Sequence, residues 1–285
     1  MISIVIPSLD KLPYTRRCLE SLLLTTGVAI EFIVVDNGST DGTAEYLLAF
    51  RRQAAERAVP VTVLFNDHNV GAITARNQAI GLCHGTEIAF LDNDIVLRDK
   101  SWLARLCATL NSDAHIAVVT PKLLFPFLPY PIEHAGIAIS PNGAIGYLGR
   151  GADREDPAFT QRRELQGSAS ACIVVKRSVL DEVGVFDEIF NPVQFEDLDL
   201  LYRIRERGYT VIYEPAVEMY HFENVTTDNT PQINFKYQTI KNGIEFKRRW
   251  RHMFTNENGP TEESLKWVEL PRHRIETIGD VETRD

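Results

Sequence analysis

Two aspartates stand one residue apart in Phe90-Leu-Asp-Asn-Asp-Ile95, just past the apolar run Glu87-Ile-Ala-Phe-Leu91. Side chains alternate along extended backbone, so Asp92 and Asp94 are expected on the same side. Two hard oxygen ligands with open positions suit Mg²⁺ or Mn²⁺ held jointly with substrate phosphates. Asp and Asn also dominate strand-to-loop turns, where they satisfy backbone donors. Taken alone, this element leaves both readings open.

A second acidic group opens the stretch Phe195-Glu-Asp-Leu-Asp-Leu-Leu-Tyr-Arg-Ile-Arg-Glu-Arg-Gly208, which reads as a helix with Leu198, Leu201 and Ile204 as its apolar stripe and Gly208 as its stop. Glu196, Asp197 and Asp199 fall in its first turn. The helix N-terminus lowers their pKa, whereas mutual repulsion and a nearby phosphate raise it. Where the second effect dominates, one of them is poised as a general base; where it does not, they merely complement the helix dipole.

Asp36, in Asp36-Asn-Gly-Ser-Thr-Asp-Gly-Thr43, can accept from the edge of a nucleobase beside a helix N-terminus that offers backbone N–H groups. One of Ser39, Thr40 or Asp41 is read as that helix's cap. Arg76 and Asn77, in Asn69-Val-Gly-Ala-Ile-Thr-Ala-Arg-Asn77, are expected at the start of the next helix, with Arg76 either meeting a diphosphate or solvated. His221 becomes a metal-ligand candidate if the Asp92/Asp94 crevice lies close to it. There is no G-x-S-x-G elbow, no P-loop and no G-x-G-x-x-G.

The elements that must hold these groups alternate in the manner of a mostly parallel sheet. Ile2-Ser-Ile-Val-Ile6 is the first strand, Leu12 to Thr25 a helix, Ile30 to Val35 a nearly continuous apolar strand, and Ala44, Leu47, Leu48, Ala54 and Ala55 mark one face of the next helix. Val61 to Phe65 is the third strand, Thr74 to Leu82 a short helix and Glu87 to Leu91 the fourth strand. Ligands of open α/β sheets sit at the carboxyl ends of the strands, so the turns after Ile6, Val35 and Leu91 are expected to meet at one crevice. Past Trp102 the pattern becomes mixed: strands at Ile116 to Pro121, Ile137 to Ser140, Ala171 to Lys176 and Thr210 to Tyr220, with long Gly- and Pro-containing loops. From Pro231 the chain reads as helical and basic, and residues 257–285 as polar and poorly anchored.

Composition narrows the classes. The chain has 285 residues, 44% hydrophobic and 24% charged, enough for a full core. A formal charge of −9 argues against a nucleic-acid partner. Cys18, Cys83, Cys107 and Cys172 are too scattered for a C-x-x-C clip and are read as reduced core thiols of a cytoplasmic protein. Met1 to Pro7 enters a strand without a basic n-region or cleavage site, which is unlike a secretory signal, and no run reaches the ~20 apolar residues of a membrane span.

The ordered set Ile-Val-Ile-Pro7, Val-Val-Asp36-Asn-Gly-Ser-Thr-Asp-Gly-Thr, Asn69-Val-Gly-Ala with Ala-Arg76-Asn, Phe-Leu-Asp92-Asn-Asp94 and Phe-Glu196-Asp197-Leu-Asp-Leu resembles family 2 inverting glycosyltransferases of the GT-A fold, over about residues 1–225. The resemblance implies an α/β, Rossmann-like domain with a mostly parallel central sheet flanked by helices. Its nucleotide-sugar-binding half is about 1–110, its mixed acceptor-binding half 111–225, and residues 226–285 form a C-terminal helical extension. It implies donor contacts from Pro7, Ser8, Asp36, Asn69, Arg76, Asp92 and Asn93. It also implies Mn²⁺ or Mg²⁺ on Asp92, Asp94 and His221, and Asp197, with Glu196 beside it, as the catalytic base. The chain departs from many relatives in having Ser8-Leu9-Asp10 where they have Tyr-Asn.

The function so implied is inverting transfer from a UDP- or dTDP-type nucleoside-diphosphate sugar to a saccharide or lipid-linked acceptor hydroxyl, in polysaccharide, glycolipid or glycoconjugate synthesis. A sugar nucleotidyltransferase is the competing enzyme class; it generally carries a Gly-rich, basic loop after the first strand, which Pro7-Ser-Leu-Asp-Lys lacks. A non-catalytic nucleotide-sugar-binding protein is the other alternative. Within 235–254, six Lys and Arg against Glu245 are interleaved with Tyr237, Phe246, Trp250 and Phe254. That pattern is expected to pack its aromatics on the domain, with peripheral contact to the cytoplasmic face of an anionic membrane as the second reading. The extension was also open to roles as a lid, an acceptor platform or a homo-oligomer contact.

Overall fold

The computed structural model describes residues 1–223, 225, 233–265, 267–271, 274–277 and 283. In chain order the regular elements are β1 (Ile2–Ser8), α1 (Leu12–Leu22), β2 (Ile30–Asp36), α2 (Thr43–Glu56), β3 (Val61–Phe65), α3 (Ala72–Ile80), β4 (Glu87–Leu91), β5 (Ile95–Leu97) and α4 (Trp102–Leu110). They continue with β6 (Ile116–Leu124), β7 (Ile132–His134), β8 (Ile137–Ile139), β9 (Ile145–Tyr147), β10 (Arg163–Glu164), β11 (Cys172–Lys176), α5 (Arg177–Val183), α6 (Glu196–Glu206), β12 (Thr210–His221) and α7 (Phe235–Phe254).

Among the described residues one ten-stranded sheet runs in the order β10-β12-β6-β11-β4-β1-β2-β3, with β5 against β12 and β7 against β6. The strands β3, β2, β1, β4, β6 and β12 point one way, and β11 is the antiparallel insertion between β4 and β6. The expected mostly parallel α/β sheet is therefore present. The chain runs outward through β1, β2 and β3 and then returns to place β4 on the other side of β1. That reversal opens a crevice between the carboxyl ends of β1 and β4, the place where such sheets bind ligands.

Strict alternation splits the core into two layers. Ile4, Ile6, Phe32 and Val34 face Leu19, Leu22, Leu47, Phe50 and Trp102 on one side. Val5, Ile33 and Val35 face Ile73, Ala79, Leu198, Leu201, Phe246 and Trp250 on the other. Burial on both faces is why these strands read as continuous apolar runs.

The second half differs in detail from the sequence expectation. Ile137–Ile139 belongs to a separate two-stranded sheet with β9, and α4 lies where no helix was expected. Trp102, Leu103, Leu106, Cys107 and Leu110 are all buried there, at helical spacing. The four cysteines are free and buried.

The C-terminal stretch is tied to the domain rather than loosely attached. Phe246, Trp250 and Phe254 of α7 are buried, and the Trp250 indole donates to Asp199 at 2.9 Å. Beyond α7, Leu265 and Ile275 are buried, and the Ile275 amide donates to the Tyr14 hydroxyl at 3.1 Å. The parts of the expected C-terminal extension at 226–232, including its expected helical start at Pro231, and at 266, 272–273, 278–282 and 284–285 fall outside the described residues. No helix among the described residues is long and apolar enough to cross a membrane.

Candidate active site

The crevice at the β1/β4 reversal is a cavity of about 490 Å³. Pro7 and Ser8 enter it from the end of β1, Asn37 from β2, Asn69 from the loop before α3, and Asp92, Asn93 and Asp94 from the end of β4. The second half of the chain adds Glu196 and Asp197 at the start of α6, His221 at the end of β12, and Ala169 and Ser170 ahead of β11. The three polar turns expected to meet do so.

Small hydrogen-bonded links hold the wall formed by the first half of the chain. The Asn93 amide donates to the Thr15 hydroxyl at 2.9 Å, and Thr15 and Ser8 share a hydrogen bond of 2.9 Å, so the end of β1, the start of α1 and the turn after β4 are linked. The Asn37 amide donates to Asn69 Oδ1 at 2.9 Å, and the same oxygen accepts from the Gly71 amide at 2.9 Å. Gly71, with φ of 94°, opens α3 hard against the side chain of Asn191, and an added Cβ would collide with it. Asp36 is buried behind this wall, accepting from the Ser39 amide at 3.3 Å; its neighbour Asn37 is the residue that lines the cavity. Burial, with Asp10 and Asp41 nearby, raises the Asp36 pKa.

Arg76 sits in the middle of α3 and is buried, unlike the exposed or helix-start position expected from sequence. Its guanidinium donates to Asp92 at 2.6 Å and to Glu196 at 2.9 Å. One cation thus joins the two acidic motifs across the cavity floor. Burial raises the pKa of Glu196 to about 7, with Asp197 adding to the effect and Arg76 opposing it. Glu196 Oε2 is buried without a hydrogen-bond partner.

Asp197 is fixed differently. Its Oδ1 accepts from the Leu198 amide at 2.7 Å and its Oδ2 from the Ser170 amide at 3.2 Å, yet burial still raises its pKa. The acidic pair is delivered by Gln194 and Phe195, two consecutive non-glycine residues at φ of 83° and 73°. Such a conformation costs energy and needs bracing from its surroundings. α7 supplies it: the buried Asn242 amide donates to the carbonyls of Phe190, Val193 and Gln194 at 2.8, 2.9 and 3.0 Å, and the Phe195 ring packs on Phe246.

Asp92, Asp94 and His221 each bring a ligand atom within 4.8 Å of the others. His221 Nε2 lies 3.3 Å from Asp94, and its Nδ1 lies 3.4 Å from Glu133. Burial opposes a charge on this imidazole, but the carboxylates on either side raise its pKa well above the ordinary range. Two carboxylates and an imidazole held at its second nitrogen by another carboxylate make a donor set that fits a divalent cation.

Several of these residues carried no sequence signal. Glu133, Glu223 and Arg150 form a buried network: Arg150 donates to both oxygens of Glu223 at 2.8 and 2.9 Å, lies 3.8 Å from Glu133, and stacks 3.8 Å over the Trp267 ring. Trp267 also lines the cavity. His134 is held neutral, its pKa lowered to about 3 by burial with His221 and Arg150 adding to the effect, and it accepts from the Ala169 amide next to the Ser170 amide that binds Asp197. Asn37 alone among the missed residues stood inside a motif already singled out.

Residues 3–184 match the family described as "Glycosyl transferase family 2". The chain belongs to glycosyl transferase family 2. Among family relatives, an uncharacterized protein y4gI of Sinorhizobium fredii is 31% identical over 88% of this chain and 28% of its own length. The O-antigen biosynthesis protein RfbC of Myxococcus xanthus is 28% identical over 82% of this chain and 18% of its own length. The chain therefore spans less than a third of either relative. A crystal structure of GalNAc-T7 with UDP, GalNAc and Mn²⁺ superposes with a TM-score of 0.69 at 18% identity, covering 90% of this chain and 49% of that one. That likeness is one of fold, the GT-A arrangement.

Proposed function

We propose that the protein transfers a sugar from a nucleoside-diphosphate donor of UDP or dTDP type to an acceptor hydroxyl with inversion at C1. The observation that carries this reading is the charge pattern of the cavity: Asp92, Asp94, Glu133, Glu196, Asp197 and Glu223 line it, against Arg76 and His221. A wall so acidic repels a diphosphate unless a cation intervenes, and Asp92, Asp94 and His221 are the residues to hold one. A nitrogen ligand beside two oxygens favours Mn²⁺ over Mg²⁺, which prefers an all-oxygen shell. When bound, the cation supplies positive charge that stabilises the leaving diphosphate.

The remaining steps fall to the protein. Pro7, Ser8, Asn69 and Asn93 line the space for the donor, and Asp36 holds the strand end where the base is read. Arg76 positions Asp92 and Glu196 relative to each other. Asp197 takes the proton from the acceptor hydroxyl; that oxygen forms a bond to C1 while the C1–O bond to the diphosphate breaks, and the electron pair leaves with the phosphate. Attack from the face opposite the leaving group inverts the anomeric centre. Support for a saccharide-building role comes from the O-antigen biosynthesis protein, and support for a nucleoside diphosphate together with Mn²⁺ from the GalNAc-T7 structure, which contains UDP, GalNAc and Mn²⁺. A saccharide or lipid-linked acceptor fits the cavity wall that Trp267 and Tyr147 contribute.

Thermal melting with a panel of nucleoside-diphosphate sugars tests this reading. A donor at about 100 times its Kd adds about 2.7 kcal/mol, a rise of about 5–10 °C for a chain of this size. The rise should require Mn²⁺ and disappear in Asp94→Ala. No rise with any nucleoside-diphosphate sugar, alongside one with a nucleoside triphosphate, would overturn it.

A further inference from the structure

α7 has two faces, and its sequence requires two partners. The inward face carries Asn242, Phe246, Trp250 and Phe254, all buried. Burying those aromatics leaves the outward face with Tyr237, Ile240 and Ile244, exposed by 60%, 56% and 65%. They are spaced three and four residues apart and so form one stripe along the helix. Lys236, Lys241, Lys247, Arg248 and Arg251 border that stripe and are also exposed, with Arg248 paired to both oxygens of Glu245 at 2.8 and 2.6 Å. Arg249, by contrast, turns inward to Asp187 and Asp199.

We propose that this outward face of α7 docks the protein peripherally on an anionic lipid bilayer. Single exposed apolar residues need no explanation, but three in register bordered by five cations, of which Arg248 is paired to Glu245, do. The charge is also segregated: this basic face belongs to a chain whose formal charge is −9. A second copy meeting the face across a twofold axis would oppose cation to cation. An anionic bilayer satisfies both components, with negative headgroups for the lysines and arginines and an interfacial apolar layer for Tyr237, Ile240 and Ile244. The first turns of the same helix supply Phe235 and Thr239 to the cavity wall, so docking brings the cavity beside the membrane. The consequence that the acceptor is lipid-linked rests on the glycosyl-transfer reading; docking itself does not.

Sedimentation of the full chain with vesicles of phosphatidylcholine, with or without about 30% phosphatidylglycerol, tests the proposal. The protein should pellet with the anionic vesicles, and binding should fall steeply between about 0.1 M and about 0.5 M salt. Each cation contributes about fivefold to such binding, so Lys241→Glu with Arg251→Glu should weaken it more than tenfold. Ile240→Ser with Ile244→Ser should weaken it comparably, with the melting temperature and the donor-induced rise in melting temperature retained. Equal recovery of wild type in the supernatant with both vesicle types would overturn the proposal. So would undiminished binding by both double variants, or a vesicle-free dimer that Ile240→Ser with Ile244→Ser converts to monomer. Because the donor-induced rise is read separately, failure of docking is distinguishable from failure of the glycosyl-transfer reading.

Discussion

Asp197→Asn is expected to lower glycosyl transfer by about 10²–10⁴-fold, the usual contribution of a positioned general base. Asn keeps the shape, and its single carbonyl oxygen can accept from the Leu198 amide, which anchors the native carboxylate at 2.7 Å, while the bond from the Ser170 amide at 3.2 Å is given up. Donor binding should therefore survive, and the donor-induced rise in melting temperature with it. The neighbouring carboxylate supplies the control. Glu196 is committed through Oε1 to Arg76 but keeps a buried, unpartnered Oε2, so it is the rival base. If Glu196→Gln removed transfer while Asp197→Asn retained it, the roles would be exchanged. In either case the base acts only when deprotonated. Burial raises the pKa of both carboxyls, so the activity should fall with decreasing pH at a point above the ordinary carboxylate range.

The second large effect is on stability. Arg76→Met leaves the buried Glu196 and the half-buried Asp92 facing each other without their shared cation. Breaking a buried ion pair from one side costs about 3–5 kcal/mol, which for a chain of this size lowers the melting temperature by about 6–20 °C. The loss should depend on pH with a definite sign. Glu196 already titrates at about 7 with Arg76 present, and removing that cation raises it further. A carboxyl whose folded pKa is raised favours the folded state at low pH and loses that advantage as pH rises through the folded value. The variant should therefore lie closer to wild type at pH 5 than at pH 8, by calorimetry of both proteins without added metal. A uniform deficit across that range would contradict the buried-pair account, and Glu196→Gln in the Arg76→Met background should recover part of the loss.

How much of this could be read in the residues depends on how local the cause is. The first half alternates strand and helix with apolar faces set by periods of two and about 3.6, so β1 to β4 and the meeting of their polar turns follow from spacing alone. The motifs at Asp36, Asp92 and Glu196 stand at element ends, where turn and capping chemistry marks them. α4 was not expected, although Trp102, Leu103, Leu106, Cys107 and Leu110 repeat at helical spacing. Arg76 was placed wrongly because its partners lie 16 and 120 residues away, and no local pattern distinguishes a buried guanidinium from a solvated one. Glu133 reaches His221 across 88 residues from a three-residue strand flanked by loops, again without a periodic signature. The role of α7 in bracing the Phe195 turn depends on Asn242, an unremarkable residue in a helix until its amide meets three carbonyls.

Inverting transfer from a nucleoside-diphosphate sugar can be tested with water standing in for the unknown acceptor. Proton NMR of the sugar first released from the donor, recorded with Mn²⁺ before mutarotation, reads the stereochemistry directly. The expected product is the anomer opposite to that of the donor, formed by wild type and not by Asp197→Asn. Release of the same anomer as the donor, or pyrophosphate release from a nucleoside triphosphate and a sugar phosphate instead, would contradict it.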